Sequence, residues 1–255
     1  MNDPIARARW VLESKGIVGT SAMSLESIAK SEGIRFKISD YPSDAWDGML
    51  IFNGAKRAIL VNTHKSNAGK NNFTFAHELG HYFLDHKPNF NQGGNPIIRC
   101  TTADIEGGQK FCEVEANRFA VELLMPENRF RLDMAGAPID FDLIDSLSKQ
   151  YMVSKHACSN RILSLTQNPC IIIRSNGTRI VGFAASRAAR GFLKRLDAVP
   201  YDTAAFNTVS YKWRYEDFSP CVSNKWLTRA IPGGVVYECT HVHWETGKSM
   251  TILKW

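Results

Sequence analysis

Two histidines four residues apart with a glutamate after the first, His77-Glu78-Leu79-Gly80-His81, constrain this chain more than any other feature. Side chains at i and i+4 share one face of a helix, so a helix brings both imidazoles to one point. The surrounding stretch "NNFTFAHELGHYFLDH" fits one, with Phe75, Leu79, Tyr82 and Phe83 free to pack. Paired imidazoles at this spacing are metal donors, and the glutamate beside them is placed to handle the proton of an attacking water. Chance produces the pattern in roughly one chain in a hundred of this length, so a further donor is needed to give it weight.

His86 lies five residues past His81. A third histidine donor is expected six past, after a helix-breaking glycine, so His86 reads as a helix-end residue. The better source is "FCEVEANRFAVELLMP", a second helix stopped by Pro126. Glu113 and Asn117 are four apart and share a face; one can bind the ion while the other holds a ligand histidine by a hydrogen bond. Glu115 is expected about 160° around that helix, in solvent or bonded elsewhere.

The rest of the chain frames this pair of helices. Residues 3–15 read as a helix, and a second begins at Ser24 as N-cap with Gly33 past its end. "IRFKIS" reads as a strand, and "GMLIFNGAKRAILVN" as two strands around Asn53-Gly54. Residues 87–109 are rich in Gly, Asn and Pro and read as a long loop. Residues 140–165 read as helix, turn, helix, with Ser154 capping the second. That spacing suits a DNA-reading pair or a plain helical hairpin, and its near balance of charge does not suit a helix in a DNA groove. After "QNPC", the stretches "CIIIRSNGTRIVGFAAS", "VSYKWRY", "GVVYECTHVHW" and "MTILKW" are strand-like. The fold class is therefore α+β, in three parts: 1–136, 137–167 and 168–255.

No apolar run approaches twenty residues, so no membrane span is expected, and the charged N-terminus does not read as a secretory signal. Six scattered cysteines suit the reduced thiols of a cytoplasmic protein. Lys and Arg balance Asp and Glu at nineteen each over 1–167, whereas 168–255 holds twelve against six. The same part carries twelve of the 27 aromatic residues. Cationic grooves follow phosphates and aromatic faces stack bases, so this part reads as a sensor for single-stranded DNA, with Lys212, Trp213 and Arg214 as contacts. The competing reading is ordinary core packing of Tyr211, Trp213 and Tyr215 along one side of a strand.

"FTFAHELGHYFLDH" followed by "EVEANRFAVELLMP" resembles the ImmA/IrrE family of zinc metallopeptidases over roughly residues 24–165. The resemblance implies a minimal zincin-like domain with a helix-turn-helix-like pair, and Zn2+ held by His77, His81 and Glu113. It implies that Glu78 is catalytic, and leaves Asn117 as the partner of a ligand histidine. It also implies a partner: a repressor of the helix-turn-helix type, cut on a stress or DNA-damage signal to release stress-response or phage-defence genes. The 88 residues after 167 are short for the GAF-like sensor of some relatives. Tyr151 and His156, in the adjacent helices, are the candidates for holding an oxyanion. Cys100, between the two ligand-bearing helices, is a candidate inhibitory ligand, as some phage-defence relatives use a cysteine; Cys112 reads as packing inward. The alternatives are a DNA-binding regulator with a structural zinc, or a partner-binding protein that no longer cuts.

Overall fold

The computed structural model describes residues 3–18, 20–87, 89–90, 96–100, 111–212 and 217–255, with the backbone alone at 89, 90, 96, 99 and 100. The chain is α+β and divides into two compact units, Met1–Ala135 with Asp145–Cys158, and Gly136–Ile144 with Ser159–Trp255.

In the first unit, helix α1 (Pro4–Ser14) starts at Asp3, whose carboxylate accepts from the N–H groups of Ile5 and Ala6. Ser24 stands at the N-cap position of α2 (Leu25–Ser31), as the sequence predicts, but its side chain makes no capping hydrogen bond. It closes a 3-10 turn over Ser21–Ser24 and already has helical backbone angles, where a capping serine needs an extended one. Strand β1 (Arg35–Ser39) lies parallel to β3 (Lys56–Asn62). β2 (Gly48–Asn53) turns into β3 through Gly54-Ala55, one residue past the expected Asn53-Gly54, because Asn53 pairs with Lys56; Gly54 takes the positive φ, 56°, that so tight a turn requires.

Residues 87–109 are not wholly loop. β4 (Asn89–Phe90) and β5 (Pro96–Cys100) extend the sheet to the order β1-β3-β2-β5-β4. Ile97 to Cys100 pair with Ile51 to Gly48, so Pro96–Cys100 satisfies the outer backbone groups of β2. Asn62, almost fully buried, ties down the 40–47 segment: its amide donates to the Ser43 and Trp46 carbonyls and accepts from the N–H groups of Tyr41 and His64. Helix α3 (Ala68–Phe83) packs on this sheet and against α4 (Phe111–Leu124), and α5 (Glu127–Asp133) follows Pro126.

Helices α6 (Phe141–Gln150) and α7 (Lys155–Leu165) are each shared between the units. Ser154 caps α7, its hydroxyl accepting from Ala157 N–H at 3.1 Å. The second unit is a five-stranded antiparallel sheet, in the order β7-β6-β10-β9-β8: β6 (Cys170–Asn176), β7 (Arg179–Ala185), β8 (Ser219–Val222), β9 (Val235–His243) and β10 (Lys248–Lys254). Ile171, Ile173, Val236, Leu253 and Trp226 form its core. Glu238 in that core accepts from Trp226 Nε1 at 2.6 Å and from the first backbone N–H groups of α8 (Ala204–Tyr211); burial pushes its carboxyl up. Phe141 stacks on His241 at 3.8 Å and the Ile139 carbonyl accepts from Lys254 Nζ, which seats the 136–144 segment on this sheet.

"VSYKWRY" is not a strand at its start. Val209 to Tyr211 finish α8, begun by Thr203 accepting from Phe206 N–H, and Lys212 ends it in the left-handed conformation at φ 58°. Tyr211 is exposed rather than aligned in a core. Trp213, Arg214 and Tyr215 lie outside the described residues.

Candidate metal centre

α3 presents His77 and His81 one turn apart, both completely buried, with ring centroids 4.6 Å apart. Their Nε2 atoms lie 2.9 Å from each other. Glu113, in the first turn of α4, places Oε2 3.1 Å from His77 Nε2 and 3.5 Å from His81 Nε2. Asn117, one turn further along α4, accepts from His77 Nδ1 at 2.9 Å.

Two glycines allow this convergence. A Cβ on Gly80 would stand 3.1 Å from the Cα and carbonyl oxygen of Ala116, so α3 and α4 cross with almost nothing between their backbones. On the sheet side, a Cβ on Gly48 would fall 2.5 Å from Glu78 Oε1. The Glu78 carboxylate therefore lies directly against β2, and it is fully buried.

Burial, reinforced by the neighbouring His77, pushes His81 down to about 4 against the opposing pull of Glu113. Burial also pushes the Glu113 carboxyl up, but the two adjoining imidazoles outweigh it and hold the group well below the usual carboxylate range. His77 donates its Nδ1 hydrogen to Asn117, so its Nε2 keeps a bare lone pair when the ring is neutral. A bare nitrogen, a second imidazole nitrogen and a carboxylate oxygen crowded this closely need a proton or a cation among them. The set therefore fits a metal ion, and among the described residues these three side chains form the one group of such donors, all within 4.8 Å. Two nitrogens and an oxygen are the donor types of a zinc site that keeps a position open.

The structure also joins two residues that the sequence reading set aside. His86 is not a bystander at the helix end: its Nδ1 lies 2.8 Å from His81 Nδ1 and its Nε2 lies 3.1 Å from Glu115 Oε2. The helix end explains this. Asp85 takes the left-handed conformation at φ 54°, its N–H donates to the Tyr82 carbonyl, and His86 N–H donates to the His81 carbonyl at 3.0 Å. Such an ending lays the second residue past the cap over the third residue from the helix end. A glycine at position 85 would have signalled it in the sequence; the aspartate hid it.

Other expected residues fall elsewhere. Tyr151 is buried against Phe130 and donates its hydroxyl to Asp133 at 2.6 Å, so it anchors α5 rather than offering a hydrogen bond to an oxyanion. His156 is half-buried on the first turn of α7 and is not one of the clustered donors. Cys112 is half-buried at the start of α4. The Cys100 side chain lies outside the described residues; its backbone is in β5, opposite Gly48, rather than in a loop. Lys212 Nζ stands 6.0 Å over the Trp244 ring.

An HExxH helix crossed by a second helix that adds a buried carboxylate defines the class: a protein built on a metallopeptidase fold. The chain belongs to the peptidase family of the IrrE N-terminal-like domain, whose profile matches residues 29–163. The fold is similar to that of a Mycobacterium tuberculosis transcriptional regulator of known structure, at 16% identity and a TM-score of 0.57, over 98% of this chain and 74% of that one. No curated protein matches the chain. Among the described residues no helix is long and apolar enough to cross a membrane.

Proposed function

We propose that the chain is a cytoplasmic zinc-dependent endopeptidase that cleaves a cognate repressor of the helix-turn-helix type. The convergence of His77, His81 and Glu113 carries this reading, with family membership and the likeness to a transcriptional regulator behind a regulatory role. Bound zinc would polarise the scissile carbonyl and make water nucleophilic at neutral pH. His77, His81 and Glu113 would hold the ion, with Asn117 orienting His77. Glu78 takes the proton of the attacking water and passes it to the leaving amine; the Gly48 backbone against it fixes its carboxylate in place.

The activating signal in this reading is single-stranded DNA, bound by the basic C-terminal part. Exposed Tyr211 beside Lys212, which itself faces the Trp244 ring, supports a stacking surface. Cys100 is the proposed brake, and its place opposite Gly48 supports it, because Gly48 is the residue against Glu78. One experiment covers these points: co-expression with the helix-turn-helix repressor encoded beside the gene, with and without a DNA-damaging agent. Wild type should make one specific cut on damage, Cys100→Ser should cut without it, and Glu78→Gln should make none while retaining zinc. A cut that persists in Glu78→Gln, or a zinc-free Glu78→Gln of normal fold, would overturn the assignment. A partner that binds wild type and is never cut would favour the non-cleaving alternative.

A further inference from the structure

His81 poses a harder tautomer question than His77, because its outer nitrogen faces another imidazole instead of an amide. One hydrogen must lie between His81 Nδ1 and His86 Nδ1 at 2.8 Å. Glu115 decides which ring owns it. The Glu115 carboxylate oxygen accepts from His86 Nε2 at 3.1 Å, so that nitrogen carries a hydrogen. With its hydrogen on Nε2, the His86 ring presents Nδ1 as an acceptor. The hydrogen between the rings then belongs to His81 Nδ1, and His81 Nε2 is left bare beside His77 Nε2 and Glu113.

We propose that His86 and Glu115 are positioning residues for the metal centre, a carboxylate–imidazole relay that holds His81 in the tautomer whose Nε2 faces the ion. The proposal rests on the reading of His77, His81 and Glu113 as metal ligands. Both His86 nitrogens are engaged away from the three clustered donors, which distinguishes it from a ligand. The relay is enclosed, with the His86 and Glu115 side chains 9% and 19% exposed. It is also built by the backbone, since the left-handed Asp85 and the His86 N–H to His81 carbonyl bond set one ring edge-on to the other at 5.0 Å. Glu113 Oε2 lies 3.5 Å from His81 Nε2, and Glu115 reaches His81 Nδ1 through His86, so two carboxylates two residues apart on α4 address the same histidine from its two nitrogens.

The test is zinc competition against a chelator, on the purified full chain, with 15N-histidine NMR of the zinc-loaded protein. His86→Ala should bind zinc about 10–100-fold more weakly than wild type, the usual effect of losing a partner of a ligand histidine. His86→Gln, whose amide oxygen can accept from His81 Nδ1, should stay closer to wild type than to His86→Ala. The NMR should show hydrogen on His81 Nδ1 and metal on Nε2. Equal affinities for wild type and His86→Ala, a glutamine variant as weak as the alanine, or His81 bound through Nδ1 would each overturn the relay. Should His86→Ala fail to fold, His86→Gln and the NMR assignment decide alone. A wild type that takes up no zinc would overturn the metal reading itself and is recognisable as that separate failure.

Discussion

Neutral His81 is what the folded chain requires, and the cost of charging it falls on the metal-free protein. Burial lowers its pKa from 6.5 to about 4, so between those values the unfolded chain binds a proton that the folded chain refuses. Stability is then full above about pH 6.5 and is lost as pH falls toward 4, by about 3 kcal/mol at 1.36 kcal/mol per pKa unit. Urea titrations of the metal-free chain at several pH values check this, with His81→Gln as the reference in which the loss is smaller; identical pH profiles would refute it. At this scale the sequence was informative wherever spacing alone sets direction. His77, His81, Glu113 and Asn117 follow from i,i+4 geometry on two helices. His86 and Glu115 do not, because their meeting depends on a left-handed residue after α3 and on how two helices cross, neither of which a single helix's periodicity encodes.

The crossing of α3 and α4 is the element on which the centre depends. Gly80→Ala should destabilise the chain by about 1–3 kcal/mol, because the new methyl meets the Ala116 backbone, which cannot swing aside as a side chain could. The same wedge moves Glu113 away from both imidazoles, so zinc affinity should fall together with the melting temperature; an unchanged affinity would show that α4 does not set the ligand geometry. Most elements were legible as patterns: the hairpin at Gly54, α4 up to Pro126, the 170–185 hairpin and the Ser154 cap. The misreadings share a cause. Pro96–Cys100 looked like loop because its pairing partner β2 is 45 or more residues earlier, and "VSYKWRY" looked like strand because Thr203, which starts the helix, stands outside the alternating stretch. Both outcomes are set by groups distant from the residues concerned.

At the scale of the molecule, the two units divide the chain at 135/136, 144/145 and 158/159, ahead of "QNPC". Residues 136–144 and 159–165 belong with the sheet that follows them, and Phe141 and Ile139 make their contacts on β9 and β10. A chain ended at residue 167 should therefore lose cooperative unfolding and bind a hydrophobic dye, while the full chain does neither; a sharp, reversible melt of the 1–167 fragment would contradict this. The chain thus passes between the units three times. For inheritance, that path makes the second unit a poor cassette. A single genetic crossover after position 167 would join a foreign sheet to a strip, residues 136–144, shaped against the old one. A new C-terminal half could be acquired only with matching changes inside the first, so this sheet is expected to diverge by substitution rather than by exchange.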